Sequence, residues 1–254
     1  MVNVSVNCYT GTFEYIGAKK IKMINDNDKI IDFWDKALKL SDEDKKEVYE
    51  YGVDDWKELA PSEKLFMAAA SLGNRKKVLD YGCGDGWAGI IAAKSGCGDV
   101  TAVDPAPGAV ETAQIYADVF GAKDHMNIFC ADINRLKETP DDTYDGFICS
   151  NVIDVIPDGV AEEILREAAR IVTGEASVII GMNYYISPEM AKEKGIELKD
   201  GNRLYVDGVL RMVSRSDEEW SEIFGKYFTV ERLEHFAWQG EPDERRRLFY
   251  LKRI

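Results

Sequence analysis

The chain has 254 residues, 45% of them hydrophobic, with 46 acidic against 32 basic side chains and a formal charge of −14. That length and apolar content suit one α/β domain with a cap and exclude a globally disordered chain. The acidic balance disfavours nucleic acid, whose phosphates it repels, and leans weakly toward cationic or neutral substrates.

Residues 1–74 are charged and mostly helical in pattern, and read as an N-terminal helical cap or lid. Within them DKIIDFWDKALKL sets Ile30, Ile31, Phe33, Trp34, Ala37 and Leu38 largely on one helical stripe. Ser41 is placed to cap a helix with acids in its first turn and Gly52 at its end. Pro61-Ser62-Glu63 opens another helix, closed by Gly73. From 75 to 254 strands and helices alternate. KKVLDYG, DVTAVDP, NIFCADI, YDGFICSNVIDVI and ASVIIGMNYY read as five strands, and GWAGIIAAKSG, GAVETAQIYADVFG and GVAEEILREAARIVT as the helices among them. Such βαβ units, with near-continuous apolar strands, predict a mostly parallel sheet covered on both faces. An insertion of about 182–214 follows, with a hairpin signal at Asp207-Gly208. Ser216 to Glu219 spells a capping box. FTVERLEHFAW and RRLFYLKRI then read as two antiparallel strands joined by a short turn-rich loop.

The five cysteines (Cys8, Cys83, Cys97, Cys130 and Cys149) form no C-x-x-C pair, and there are two histidines. Neither a disulfide framework nor a metal site is expected. No charged-then-apolar leader and no apolar run of membrane length is seen, so a reducing cytoplasm is the expected location.

Val78 to Ile90, VLDYGCGDGWAGI, admits two spellings. Gly84-x-Gly86-x-x-Gly89 satisfies the dinucleotide fingerprint G-x-G-x-x-G. Asp80-x-Gly82-x-Gly84-x-Gly86 satisfies acid-x-G-x-G-x-G. A carboxylate at Asp80 repels a pyrophosphate but suits an ammonium group. Asp104, ending the second strand, can accept from two ribose hydroxyls. Asp132, ending the third, can accept from an adenine amino group while Ile133 packs on the ring. Each acid also has a plain structural use: Asp80 and Asp104 as helix N-cap partners, Asp132 as the cap of a turn. Trp87 can cover a ligand or fill core.

In order and spacing these stretches resemble the class I S-adenosylmethionine-dependent methyltransferases of small-molecule type, from about Lys76 to the C terminus. The resemblance implies a Rossmann-like seven-stranded sheet, mostly parallel with an antiparallel last strand, and S-adenosylmethionine as cofactor. VLDYGCGDG is similar to the family's first motif. Asp80, Gly82, Gly84 and Gly86 would then hold the methionine and ribose parts, with Cys83 and Trp87 in the same loop. VDPAPGAVETA is similar to the second motif, which puts Asp104 on the ribose hydroxyls and Pro105 and Ala106 along the adenine. The stretch from Ala131 to Asp158 is similar to the motifs that follow, with Asp132 and Ile133 at the adenine and Asn151 and Val152 near the sulfonium. DNA-methylating relatives carry a proline pair where this chain has Ser150-Asn151-Val152-Ile153, and no Pro-Cys nucleophile is present. The implied reaction is direct methyl displacement onto a small-molecule acceptor. A NAD-dependent oxidoreductase and a non-catalytic S-adenosylmethionine-binding protein are the alternatives.

Asp154 and Tyr184 are the candidate groups on the acceptor side. Asp154 falls where many relatives carry histidine, and can bind a cation, take a proton or cap a turn. Tyr184 and Tyr185 leave the fifth strand, and alternation sends them to different sides. Tyr9, Tyr15 and Trp34 can wall a ligand or pack as core. His235 and Trp238 read as core or surface.

Overall fold

The computed structural model describes residues 25–254 in full and, before them, the backbone of two strands. These are β1 (Phe13–Ile16) and β2 (Lys19–Lys22), an antiparallel hairpin. A hairpin is not anticipated in a segment read as mostly helical. Tyr9, Cys8 and the Tyr15 side chain lie outside the described residues.

Helix α1 (Asp26–Leu38) starts where the Asn25 side chain accepts from the Asp28 amide at 2.8 Å. α2 (Asp42–Val48) opens on a capping box between Ser41 and Asp44 and stops four residues before the expected Gly52. α3 (Glu63–Ser71) is capped by Ser62. These caps satisfy amides that have no partner inside the helix.

The alternating region follows: β3 (Val78–Tyr81), α4 (Trp87–Lys94), β4 (Val100–Asp104), α5 (Pro107–Val119), β5 (Met126–Cys130), α6 (Ile133–Glu138), β6 (Tyr144–Ser150), α7 (Asp158–Ile171) and β7 (Val172–Met182). The insertion adds α8 (Pro188–Lys194) and the hairpin β8 (Arg203–Val206) and β9 (Val209–Val213). Its turn is Asp207-Gly208, both at positive φ, as a tight hairpin turn requires. Then come α9 (Asp217–Phe224), with both bonds of the Ser216–Glu219 capping box, β10 (Phe228–Phe236) and β11 (Arg246–Arg253).

Seven strands form one sheet in the order β10-β11-β7-β6-β3-β4-β5. β11 runs antiparallel to both its neighbours, and the remaining pairs are parallel. One face is covered by α3, α4 and α5, the other by α6, α7 and α9. α4 is apolar nearly all round and buries every residue from Ala88 to Ala93, as a helix between a sheet and two other helices must. α7 is amphipathic instead, turning Ala161, Ile164, Leu165, Ala168 and Ile171 to the sheet.

After β3 the chain proceeds outward through β4 and β5, then returns to the other side of β3 as β6. The strand order therefore reverses between β3 and β6. A crevice opens at the carboxyl ends of strands at such a switch point, and ligands of open α/β sheets bind there.

Candidate functional site

Two loops meet at the switch point: the glycine loop after β3 and the segment after β6. Gly82, Gly84 and Gly86 all have positive φ, so the loop winds tightly and turns its backbone outward. The Gly82 and Cys83 amides donate to Val103 O at 2.7 and 3.1 Å, pinning the loop to the end of β4. A Cβ on Gly82 would overlap Val152 Cγ2, so only glycine lets the two loops close. Gly89 serves differently. It lies in α4 against Met126, Asp80 and Val100, where a Cβ would crowd the sheet. That is helix–sheet packing, and it makes the G-x-G-x-x-G spelling incidental.

Three carboxylates surround the loop. Asp80 is 3% exposed, and its Oδ2 accepts from the Gly89 amide at 2.9 Å, so it caps α4 from the preceding strand. Burial pushes its pKa up to about 7; the Gly89 amide opposes that shift, and Asp85 and Asp104 add to it by repulsion. Asp104 divides its oxygens: Oδ2 accepts from the Gly84 amide at 3.0 Å and Oδ1 from the Ala106 amide at 2.9 Å. Burial raises its pKa as well, partly offset by those two amides. Asp85 accepts from the Trp87 amide at 3.3 Å. None of the three carboxylates joins an ion pair among the described residues, so a cation placed here relieves their mutual repulsion. Each of the two Asp104 oxygens keeps a lone pair for a further donor.

The other expected residues fall around this centre. Pro105 is half-buried and Ala106 buried at the start of α5. Asp132 is the N-cap of α6, its Oδ1 accepting from the Asn134 amide at 2.9 Å, and Ile133 beside it is buried. Trp87 is half-buried and packs with the α3–α4–α5 cluster. The Cys83 side chain is buried and its thiol is pushed well up by burial, so any contact it makes with a ligand is through the backbone. Asn151 stands at φ 55°, with its Oδ1 buried and lacking a hydrogen-bond partner among the described residues. Strain and an orphaned acceptor together mark a site where a ligand or water completes the bonding.

On the acceptor side the structure gives Asp154 and Tyr184 other surroundings. Asp154 is fully buried. Its Oδ2 accepts from the Asn183 amide at 2.8 Å, its carbonyl accepts from the Val213 amide at 2.7 Å, and its Oδ1 has no partner among the described residues. Burial raises its pKa, and the positive charge of Arg247 opposes that. A carboxylate so enclosed reaches an acceptor only if the insertion opens. Tyr184 packs against the small core of the insertion, Ile186, Ala191 and Met212, and lies under Arg245 at 5.1 Å. His235 pairs with Asp217 at 2.9 Å, and Trp238 lies flat under Arg246 at 3.3 Å.

The sequence suggested a helical lid, but not the contacts that hold it. α1 crosses the cleft. Its stripe Ile30, Trp34, Leu38 faces inward: Ile30 is buried with Leu79, Tyr81, Val103 and Ile133, and Leu38 Cδ1 lies over Gly84. At one end of α1, Asp35 accepts from the Gly108 amide at 2.6 Å and the Leu38 carbonyl accepts from Thr112 Oγ1 at 2.7 Å. At the other end, Asp26 accepts from the Tyr205 hydroxyl of the insertion at 2.9 Å. The stripe was legible; the partners were not, since they lie far along the chain.

A sheet in this strand order, with a glycine loop and acids at its switch point, defines the class I methyltransferase fold. Residues 78–174 match the family model described as a methyltransferase domain. Over that stretch the chain is similar to methyltransferase domains. The chain is 30% identical over 103 residues to a ubiquinone biosynthesis O-methyltransferase of Neisseria meningitidis serogroup A, covering 41% of this chain and 42% of that protein. It therefore spans well under half the length of that curated relative. In fold it resembles the Burkholderia thailandensis 1,6-didemethyltoxoflavin-N1-methyltransferase solved with 1,6-didemethyltoxoflavin and S-adenosylhomocysteine. The TM-score is 0.62 at 14% identity, over 96% of this chain and all (100%) of that one. It also resembles the N-methyltransferase NodS of Bradyrhizobium japonicum in complex with S-adenosylhomocysteine, with TM-score 0.53 and 16% identity over 75% and 84% of the two chains. Among the described residues no helix is long and apolar enough to cross a membrane, and no His/Cys/Asp/Glu group is suited to a metal ion.

Proposed function

We propose that this protein transfers a methyl group from S-adenosylmethionine to a small-molecule acceptor. The observation that carries the reading is the set of three carboxylates with no ion pair among the described residues around a positive-φ glycine loop, together with the orphaned Asn151 oxygen in the segment after β6. That set fits a ligand bearing an ammonium, two ribose hydroxyls and a sulfonium. Asp80 would take the ammonium, relieving its repulsion by Asp85 and Asp104. Asp104 would take the ribose hydroxyls on its free lone pairs while holding Gly84 and Ala106. Asp132, Ile133 and Pro105 would border the adenine. Asn151 and Val152 would flank the sulfonium. When bound, the cofactor supplies an activated methyl group for direct displacement.

The chain's own share is orientation and exclusion of water. The two loops fix the ligand, and α1 and the insertion cover it. A covered cleft of this kind supports a small acceptor over a macromolecular one, and the net charge of −14 disfavours nucleic acid. We assign the protein to the cytoplasm, in keeping with its free buried thiols Cys83, Cys97 and Cys149. Titration calorimetry should show S-adenosylhomocysteine binding at about micromolar strength or tighter, with NAD giving no heat. Binding of NAD in place of S-adenosylhomocysteine would overturn the reading. Transfer of labelled methyl to a pooled metabolite extract then separates an enzyme from a binding protein.

A further inference from the structure

Arg211 lies in the middle of β9, half-buried, where the insertion meets α1. Its guanidinium sits 3.9 Å from the centre of the Phe33 ring and 5.4 Å from that of Trp34. Those two rings meet edge to face at 5.1 Å and form a wall of the lid. Trp34 in turn packs, as Ala131 and Val152 do, against the core cluster that includes Tyr81 at the end of β3 and Ile133 after β5. Two residues further along β9, the Val213 amide bonds the carbonyl of Asp154. Arg211 therefore stands where α1, β9 and the segment after β6 converge, at the edge of the covered cleft.

Its charge has no acidic partner among the described residues. Arg203 before it in the insertion and Arg215 just after the insertion both pair with Asp158, at 2.9 and 2.8 Å. Arg211 makes no hydrogen bond and no ion pair with any described residue, in a chain with 46 acids available. Stacking on aromatic rings fixes the guanidinium plane and leaves its N–H donors, which form a fork matched to an oxyanion, unspent.

We infer that Arg211 is the acceptor-recognition residue of this site and that the methyl acceptor carries a carboxylate or equivalent oxyanion. A flat acceptor would lie along Phe33 and Trp34 with its anionic group on the guanidinium. This reverses the lean toward cationic substrates drawn from the overall charge: one lid arginine sets the local field where charges dispersed over the surface average out. The inference rests on the methyltransferase reading above and deepens it.

The test uses the full chain saturated with S-adenosylhomocysteine and three matched probes: 3,4-dihydroxybenzoate, 3,4-dihydroxybenzamide and 3,4-dihydroxybenzylamine. Binding is followed by saturation-transfer NMR and calorimetry. The benzoate should bind the wild type most tightly. Arg211→Met, which keeps length and ring contact but loses the charge, should weaken the benzoate at least about tenfold, the loss expected of one charge-assisted contact. It should leave the amide unchanged, and Arg211→Lys should recover part of the benzoate affinity. Arg232→Gln, at the far edge of the sheet, is the control. If S-adenosylhomocysteine itself fails to bind, the methyltransferase reading has failed. If it binds but the three probes bind alike, or none binds, or Arg211→Met leaves the benzoate unaffected, the anionic-acceptor inference is overturned.

Discussion

The carboxylate of Asp104 holds the amide of Gly84, twenty residues earlier in the chain, at 3.0 Å, and the amide of Ala106 with its other oxygen at 2.9 Å. One side chain thus sets the spacing between the glycine loop and the start of α5. Asp104→Ala should weaken S-adenosylhomocysteine binding by about 1–3 kcal/mol, through lost ribose contacts and a loosened loop. Calorimetry measures the first. Amide hydrogen exchange at Gly84 and Ala106 measures the second, and unchanged exchange would refute the spacing role.

Gly82 carries two independent requirements, a φ of +69° and the absence of a Cβ beneath Val152. Gly82→Ala should destabilise the fold by roughly 2–4 kcal/mol, combining the left-handed backbone cost with overpacking. Adding Val152→Ala should restore the overpacking part alone. A double-mutant cycle in chemical denaturation reads the coupling; strict additivity would show that the loops do not touch.

Asp80, with its pKa raised to about 7, binds its proton more tightly folded than unfolded. Its contribution to stability is thus present below pH about 4 and is lost as pH rises to about 7, on the order of 4 kcal/mol across the window. Glu111 and Glu175, lowered by their lysine partners, act in the opposite sense, so the measurement is wild type against Asp80→Asn. Their difference in unfolding free energy should shrink or reverse as pH rises through that range. If the ligand ammonium sits on Asp80, S-adenosylhomocysteine affinity should increase from about pH 5.5 to 7.5 in the wild type and stay flat in Asp80→Asn.

Arg247 is 1% exposed and donates to Asn183 O at 2.7 Å and Arg215 O at 2.6 Å. Arg247→Met should cost about 3–5 kcal/mol by removing the charge that opposes buried Asp154 and the ion pair with Asp217, and Asp154→Asn in the same chain should return part of it. Urea denaturation of the two variants decides; no recovery in the double variant would mean the two charges are not coupled.

What the sequence made legible was what local chemistry determines. Asp207-Gly208 demanded a tight turn and Ser216 with Glu219 demanded a helix start, and both formed. The alternation from Lys76 onward fixed the sheet. α6 escaped because six residues show no helical period and because Asp132, its cap, already had a ligand-binding reading. β6 was read too long: the apolar VIDVI continues a strand pattern, but Asn151 at φ 55° turns the chain first. In the site, Asp80 and Asp104 announced themselves by standing at strand ends before glycines or a helix. Asp35, Arg211 and Arg247 did not, because their partners lie far off: 73 residues separate Asp35 from Gly108 and 64 separate Arg247 from Asn183.

The two bonds of Arg247 also say something about how this chain can change. Asn183 leaves β7 and Arg215 approaches α9, and one guanidinium touches the carbonyls of both. The insertion between them departs from and returns to a single anchor point, like a drawer on one rail. Neither of its strands pairs with the central sheet, so changing its contents breaks no strand pairing there. Replacing 186–213 by a short turn should therefore leave a folded sheet that still binds S-adenosylhomocysteine but has lost its choice of acceptor, and grafting another loop there is the natural route to a new one.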